Sequence, residues 1–163
     1  MTDDQPATGL THVNAQGEVR MVDVGGKPIM RRRAVASGDF VAKPATLDQL
    51  MAGTLPKGEA LAAARLAGIA AAKRTDELIP LCHSLPLDFV NVSFERVAPD
   101  RLRVTAAAGL EAKTGVEMEA LTAVSVACLT LYDMTKAVDK QLRIEAITLV
   151  EKTKTPLTDV ATR

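Results

Sequence analysis

Residues Val116 to Lys140 constrain the fold more than any other part of the chain. Wound at about 100° per residue, they place Glu119, Thr122, Ser125, Thr130, Asp133, Lys136 and Lys140 in one stripe about 140° wide. Nearly all the remaining circumference is apolar. A helix of this kind needs cover on almost every side, so its polar stripe is expected to line a cleft or an interface. A subunit of 163 residues has limited core in which to bury such a helix, which points to an obligate oligomer.

The neighbouring segments supply what the helix packs on. Lys57 to Thr75 reads as a second helix, with strong helix formers from Ala60 to Ala72. Gly68 interrupts it, either to admit another backbone at close range or as a tolerated cost of about 1 kcal/mol. Ala45 to Ala52 is a short helix, with Thr46 as N-cap and Gly53 as stop. The segment from Arg31 to Gly38, entered past Pro28, reads as an edge strand. Asp88–Val97 and Arg101–Ala107 form a hairpin about Ala98-Pro99-Asp100, and Leu142–Glu151 is a last strand. The order strand, helix, strand, strand, helix, strand predicts an α+β, ferredoxin-like βαββαβ subunit, an antiparallel sheet with helices packed on one face. One domain spanning residues 1–163 is expected, with flexible ends at about 1–18 and 152–163.

Charge and composition narrow the function. Lys plus Arg and Asp plus Glu both number 20, and aromatics make up 2% of the chain. A nucleic-acid partner, which favours a basic excess and stacking aromatics, is therefore not expected. No run reaches the roughly 18 apolar residues of a membrane span, and the polar start does not resemble a signal peptide. With two cysteines and two histidines, no metal-ligand spacing is present. The expectation is a soluble cytoplasmic protein without a structural metal.

Three features carry possible chemistry. Asp133 and Lys136, spaced i,i+3, can meet as an exposed ion pair or as an acid/base pair that shifts each other's pKa. His83 sits in an apolar loop, Leu78 to Leu87, fixed by Pro80 and Pro86, and is either bonded to a backbone carbonyl or a site residue. Beside it, Cys82 reads as a small buried hydrophobe rather than a nucleophile. Positive charge gathers at Lys27, Arg31-Arg32-Arg33, Lys57, Lys73-Arg74 and Lys136. On a strand, Arg32 faces opposite to Arg31 and Arg33, and the cluster serves either to protect an edge or to clamp phosphate.

Several blocks, in order, resemble the cyclic pyranopterin monophosphate synthase family of molybdenum cofactor biosynthesis. They are Leu10-Thr11-His12-Val13-Asn14, Met21-Val22-Asp23-Val24, Lys57-Gly58, Ala72-Lys73-Arg74-Thr75, Leu78-Ile79-Pro80-Leu81-Cys82-His83, Gly115 to Ser125 and Tyr132-Asp133-Met134-Thr135-Lys136-Ala137. The resemblance implies a homohexamer, a trimer of dimers, with active sites at a subunit interface. It implies conversion of (8S)-3′,8-cyclo-7,8-dihydroguanosine 5′-triphosphate to cyclic pyranopterin monophosphate, with pyrophosphate released. By the same resemblance Asp133 is the catalytic aspartate and Lys136 its partner, with Lys57, His83, Glu117 and Glu119 as further catalytic residues. Leu81, Cys82, His83, Met118 and Glu119 then contact the substrate, while Lys27 and Arg32 lie near the triphosphate. No cofactor is implied, although Mg²⁺ can accompany the triphosphate itself. The sequence departs from the family pattern at Ser84, where Pro is common, and at Thr135, where Cys is common. The competing reading is a non-catalytic small-molecule-binding or scaffold member of the same fold.

Overall fold

The computed structural model describes residues 18–157; of the ends expected to be flexible, about 1–18 and 152–163, residues 1–17 and 158–163 lie outside the described residues. Four strands form one antiparallel sheet: β1 (Met30–Val41), β2 (Phe89–Ala98), β3 (Arg101–Ala112) and β4 (Arg143–Thr155), in the order β2-β3-β1-β4. The helices are α1 (Pro44–Ala52), α2 (Ala60–Ala72), α3 (Thr75–Leu78) and α4 (Glu117–Thr135). They pack on one face of the sheet, α4 over β1 and β3 and α2 against α4 and β2.

Period-two alternation explains the sheet's two faces. Leu102, Val104, Ala106, Ala108 and Leu110 of β3, and Ala34, Ala36 and Phe40 of β1, are buried under the helices. The intervening residues of β1 and β3 form cross-strand ion pairs on the open face: Arg31 with Glu111, and Asp39 with Arg101 and Arg103. The Arg103 hydrogen bond is the main reason the Asp39 carboxyl lies below its usual range, with Arg101 reinforcing it against the opposing cost of burial.

β1 is thus an interior strand, not the edge strand its arginines suggest. Charge on the solvated face of a one-sided sheet looks like edge protection in sequence, but here Arg33 reaches Glu151 on β4 and Arg31 reaches Glu111 on β3. The last strand runs on to Thr155, so Lys152 to Thr155 belong to the ladder and not to a flexible end. Its pairing with β1 shifts register twice, and Ala146 takes φ 51°, which breaks the expected alternation and leaves Val150 exposed.

Helix boundaries differ for local reasons. Gly58, at φ 89°, holds Lys57 and Gly58 in a loop ahead of α2. Thr46 lies inside α1 rather than capping it; its hydroxyl donates to Asp139 at 3.0 Å, and the same carboxylate accepts the Lys43 N–H at 2.8 Å. Gly53 does end α1, in the left-handed conformation. α4 stops at Thr135, which leaves Lys136 and Lys140 beyond its last turn. Thr135 is fully buried and its hydroxyl donates to the Leu131 carbonyl at 2.7 Å, so the threonine finds a partner in the core.

Gly68 lies where α2 crosses α4. A Cβ there would sit 2.8 Å from the Ala123 carbonyl oxygen and 3.2 Å from Val92 Cγ2. Close approach, rather than tolerated cost, is the reading the packing supports. Gly68→Ala should therefore destabilise the protein by about 1–3 kcal/mol in urea unfolding, despite alanine's better helix propensity. A stabilised variant would show that the two helices can part without loss.

Candidate active site

The two ends of α4 carry two separate constellations. At its N-terminal end, three segments enclose a cavity of about 440 Å³. Val22, Val24 and Lys27 come from the stretch leading into β1. Leu81, Cys82, His83 and Leu85 come from the apolar loop after α3, and Thr114, Gly115, Glu117, Met118 and Glu119 from the entry to α4. The loop is apolar because Leu85 and Leu87 pack onto the core, which holds Cys82 and His83 at the cavity wall.

Glu119 is 3% exposed. Burial pushes its carboxyl up to about 7, with the nearby Glu117 and Asp76 carboxylates adding to the rise. At neutral pH it populates both protonation states. His83 Nε2 lies 2.9 Å from the Val22 carbonyl oxygen. A carbonyl only accepts, so Nε2 carries a proton and Nδ1 is the ring's other functional atom. The two sequence readings of His83 are thus compatible: it is bonded to a backbone carbonyl and it lines the cavity. Burial raises the Cys82 thiol, helped by Glu119 and Asp76, which disfavours a thiolate nucleophile.

At the other end, Asp133 accepts from two ammonium groups. Lys136 Nζ lies 2.7 Å from Oδ1, and Lys57 Nζ lies 2.9 Å from Oδ2 and 3.0 Å from the Asp133 carbonyl oxygen. The hydrogen bond from Lys136, then that from Lys57, draws the Asp133 carboxyl down to about 2. All three side chains are exposed. The i,i+3 pairing read from sequence is present, and Lys57 joins it from the loop before α2.

Fourteen residues of helix separate Glu119 from Asp133, about 21 Å along the axis at 1.5 Å per residue. Within one chain, Lys27, Leu81, Cys82, His83, Glu117, Met118 and Glu119 therefore come together, while Lys57, Asp133 and Lys136 do not join them. Arg32 is not among the residues lining the cavity; its guanidinium donates to the Ala112 and Lys113 carbonyls at 3.5 and 3.3 Å.

The sequence reading passed over Lys152, whose ammonium pairs with Glu117. In sequence it falls in the end expected to be flexible; the signal that places it is the strand register, which sets Lys152 opposite Ala34 on the helix-facing side of β1. Thr114 and Leu85 were also missed, and neither carries a pattern that sequence alone would single out. Among the described residues, no group of three or more His, Cys, Asp or Glu is placed to hold a metal ion. No helix among them is long and apolar enough to cross a membrane.

Residues 21–155 match the model of the MoaC family. The chain is similar to the cyclic pyranopterin monophosphate synthase of Novosphingobium aromaticivorans, at 59% identity over 143 residues, 88% of this chain and 90% of the relative. It is 55% identical over 146 residues to cyclic pyranopterin monophosphate synthase 1 of Mycobacterium tuberculosis, 90% of this chain and 86% of the relative. The protein of the same name from Chloroflexus aurantiacus is 56% identical over 144 residues, 88% of both chains.

The buried carboxyl has a signature in stability. A folded pKa of about 7, above an unfolded value near 4.5, favours the folded state below pH 4.5 and loses that advantage as pH rises through 7. Glu119→Gln cannot ionise, so its melting temperature should gain on the wild type progressively between pH 4.5 and 7.5. A difference that stays flat across that range would mean that the carboxyl is solvated.

Proposed function

The chain belongs to the MoaC family, and from that premise we propose that it converts (8S)-3′,8-cyclo-7,8-dihydroguanosine 5′-triphosphate to cyclic pyranopterin monophosphate, releasing pyrophosphate in molybdenum cofactor biosynthesis. It is an enzyme of the lyase type. The observation that carries the reading is the cavity itself, where a lysine, a histidine and a carboxyl near pKa 7 face one space.

The chemistry asks for two things. The imidazole-derived ring must open and the pyranopterin close, which needs a group that gives and takes protons. Glu119 suits this, because a general acid–base works best with its pKa near the working pH. The cyclic phosphate then forms when an internal hydroxyl attacks the α-phosphorus, its proton passes to a base, and the bond to pyrophosphate breaks. Lys27 at the cavity supplies positive charge toward the phosphates. Asp133 and Lys136 stay ionised as carboxylate and ammonium, which makes Lys136 the donor of that pair and Asp133 its acceptor and orienter.

We place the complete site between copies of the chain, in a homohexamer built as a trimer of dimers. The support is the distance of about 21 Å between the two constellations, too far for one substrate to touch both within one subunit. A second copy that brings the end of its α4 to the cavity would join them. Met118, Leu129 and Tyr132, exposed along α4, offer apolar surface for such a contact. The subunit reading remains a single ferredoxin-like domain; its support is that β1 and β3 are the inner strands and that α1–α3 together occupy the place of one crossover. Action in the cytoplasm, on a small nucleotide-derived molecule and without nucleic acid or membrane, belongs to the same proposal. Cys82 and Cys128, both free thiols, accord with a reducing compartment.

Incubating the protein with the cyclised triphosphate and measuring pyrophosphate separates this reading from that of a non-catalytic scaffold, which would release none. In single-turnover reactions Asp133→Asn should slow product formation roughly a hundredfold or more, with substrate still bound and the melting temperature close to normal. Lys136→Ala should do likewise, and the double variant should be little worse than either. A near-wild-type rate in Asp133→Asn would move the chemistry to the cavity residues. Mixed oligomers of Asp133→Asn and Glu119→Gln subunits should regain activity that neither has alone; no recovery would put each whole site within one chain.

A further inference from the structure

The stretch from Val22 to Lys27 forms one wall of the cavity, and its shape is set largely by itself. Asp23 Oδ1 accepts the Gly25 N–H at 2.7 Å, and the Lys27 N–H donates to the Val24 carbonyl at 3.0 Å, which closes a tight turn. Val22 and Val24 are half-buried against the cavity while Asp23 and Gly25 are exposed. Local bonds shape a turn without fixing where it sits on the body of the protein. Among the described residues, two side chains from the body do that. His83 Nε2 holds the Val22 carbonyl, and Lys113 Nζ holds the Gly25 carbonyl at 2.7 Å.

Lys113 follows the last residue of β3, and its backbone is itself held. The Arg32 guanidinium donates to the carbonyls of Ala112 and Lys113, so the lysine projects from a fixed ledge. Its bond to Gly25 is charge-assisted, and Lys27 lies two residues further along the turn. We propose that Lys113 is a positioning residue for the reaction assigned above, its ammonium holding the Gly25 carbonyl so that Lys27 is presented to the triphosphate. Arg32 supports the same ledge, by fixing the backbone that carries Lys113. This inference rests on the proposed substrate only in that a polyphosphate is what Lys27 meets. A lysine held in place beforehand loses less freedom when phosphate arrives, so the effect belongs to binding and not to the chemical step.

The test compares Lys113→Met, Lys113→Arg, Lys27→Ala and the Met/Ala double variant in the full-length protein. Three quantities are read: KM and kcat with the cyclised dihydroguanosine triphosphate, the dissociation constant of inorganic triphosphate, and amide hydrogen exchange across residues 22–27. Lys113→Met should raise KM and weaken inorganic triphosphate roughly tenfold, the scale of one charged hydrogen bond, with kcat within about twofold of wild type. Lys113→Arg should restore most of the loss. Once Lys27 is alanine, Lys113→Met should add less than about twofold, because residues that act through one another are non-additive. Amides at Gly25 to Lys27 should exchange faster in Lys113→Met and unchanged in Lys27→Ala. Full additivity with Lys27→Ala would overturn the proposal and make Lys113 a direct phosphate ligand. Unchanged triphosphate binding, or unchanged exchange in Lys113→Met, would also overturn it, by showing the bond to be idle. If the wild type binds inorganic triphosphate with this coupling but makes no product, the assigned reaction fails while the positioning role stands.

Discussion

The burial of α4 against the sheet on one side and α2 on another is the contact on which the rest of the structure depends. It succeeds because the residues at the crossing are small. Gly68 of α2 meets the backbone of α4 at Ala123, and Ala120, Ala123 and Ala127 are fully buried. Once that helix is fixed, its two ends are fixed too, and each end carries a cluster of ionisable groups. The N-terminal end sets Glu117, Met118 and Glu119 against the loop bearing His83. The C-terminal end presents Asp133 to Lys57 and Lys136.

A chain with no net charge still makes strong local fields, by sorting its ions into different surroundings. On the open face of the sheet, arginines and carboxylates pair across strands and neutralise each other. Asp133 has two cations and open solvent, and its carboxyl lies far below its usual range. Glu119 has burial and two neighbouring carboxylates, and lies far above it. Two acids on one helix are thus shifted in opposite directions, one held as a carboxylate and the other biased toward its protonated form. Neighbours and solvent, not residue type, make the difference.

Much of the fold was legible because its signals are local. The Ala60–Ala72 run, the Ala98-Pro99-Asp100 turn and the alternation of Leu102, Val104 and Ala106 each state an element within a short window. Errors arose where distant partners decide. Arg31 and Arg33 looked like edge protection, because the glutamates that pair with them lie 80 and 118 residues away. The alternation of the last strand fades before Glu151 in sequence, because bulges and the left-handed Ala146 hide it. Thr46 resembles a cap in sequence because its partner, Asp139, is remote. In the candidate site, the cavity residues were named from the resemblance and from an odd apolar loop, while Lys113, Lys152 and the turn at Gly25 were not singled out.

By itself, the sequence determined the four strands, the helices α1, α2 and α4 and the local pairing of Asp133 with Lys136, since each depends on spacings of a few residues; the short α3 it did not show. It also determined the family, through several blocks in order. Only tertiary structure decided that β1 is central, that Glu119 is buried while Asp133 is not, and that the two groups face different spaces about 21 Å apart. The physical reason is that burial and field at a side chain come from what packs around it. Those neighbours are brought from loops and strands far along the chain, and no window of sequence contains them.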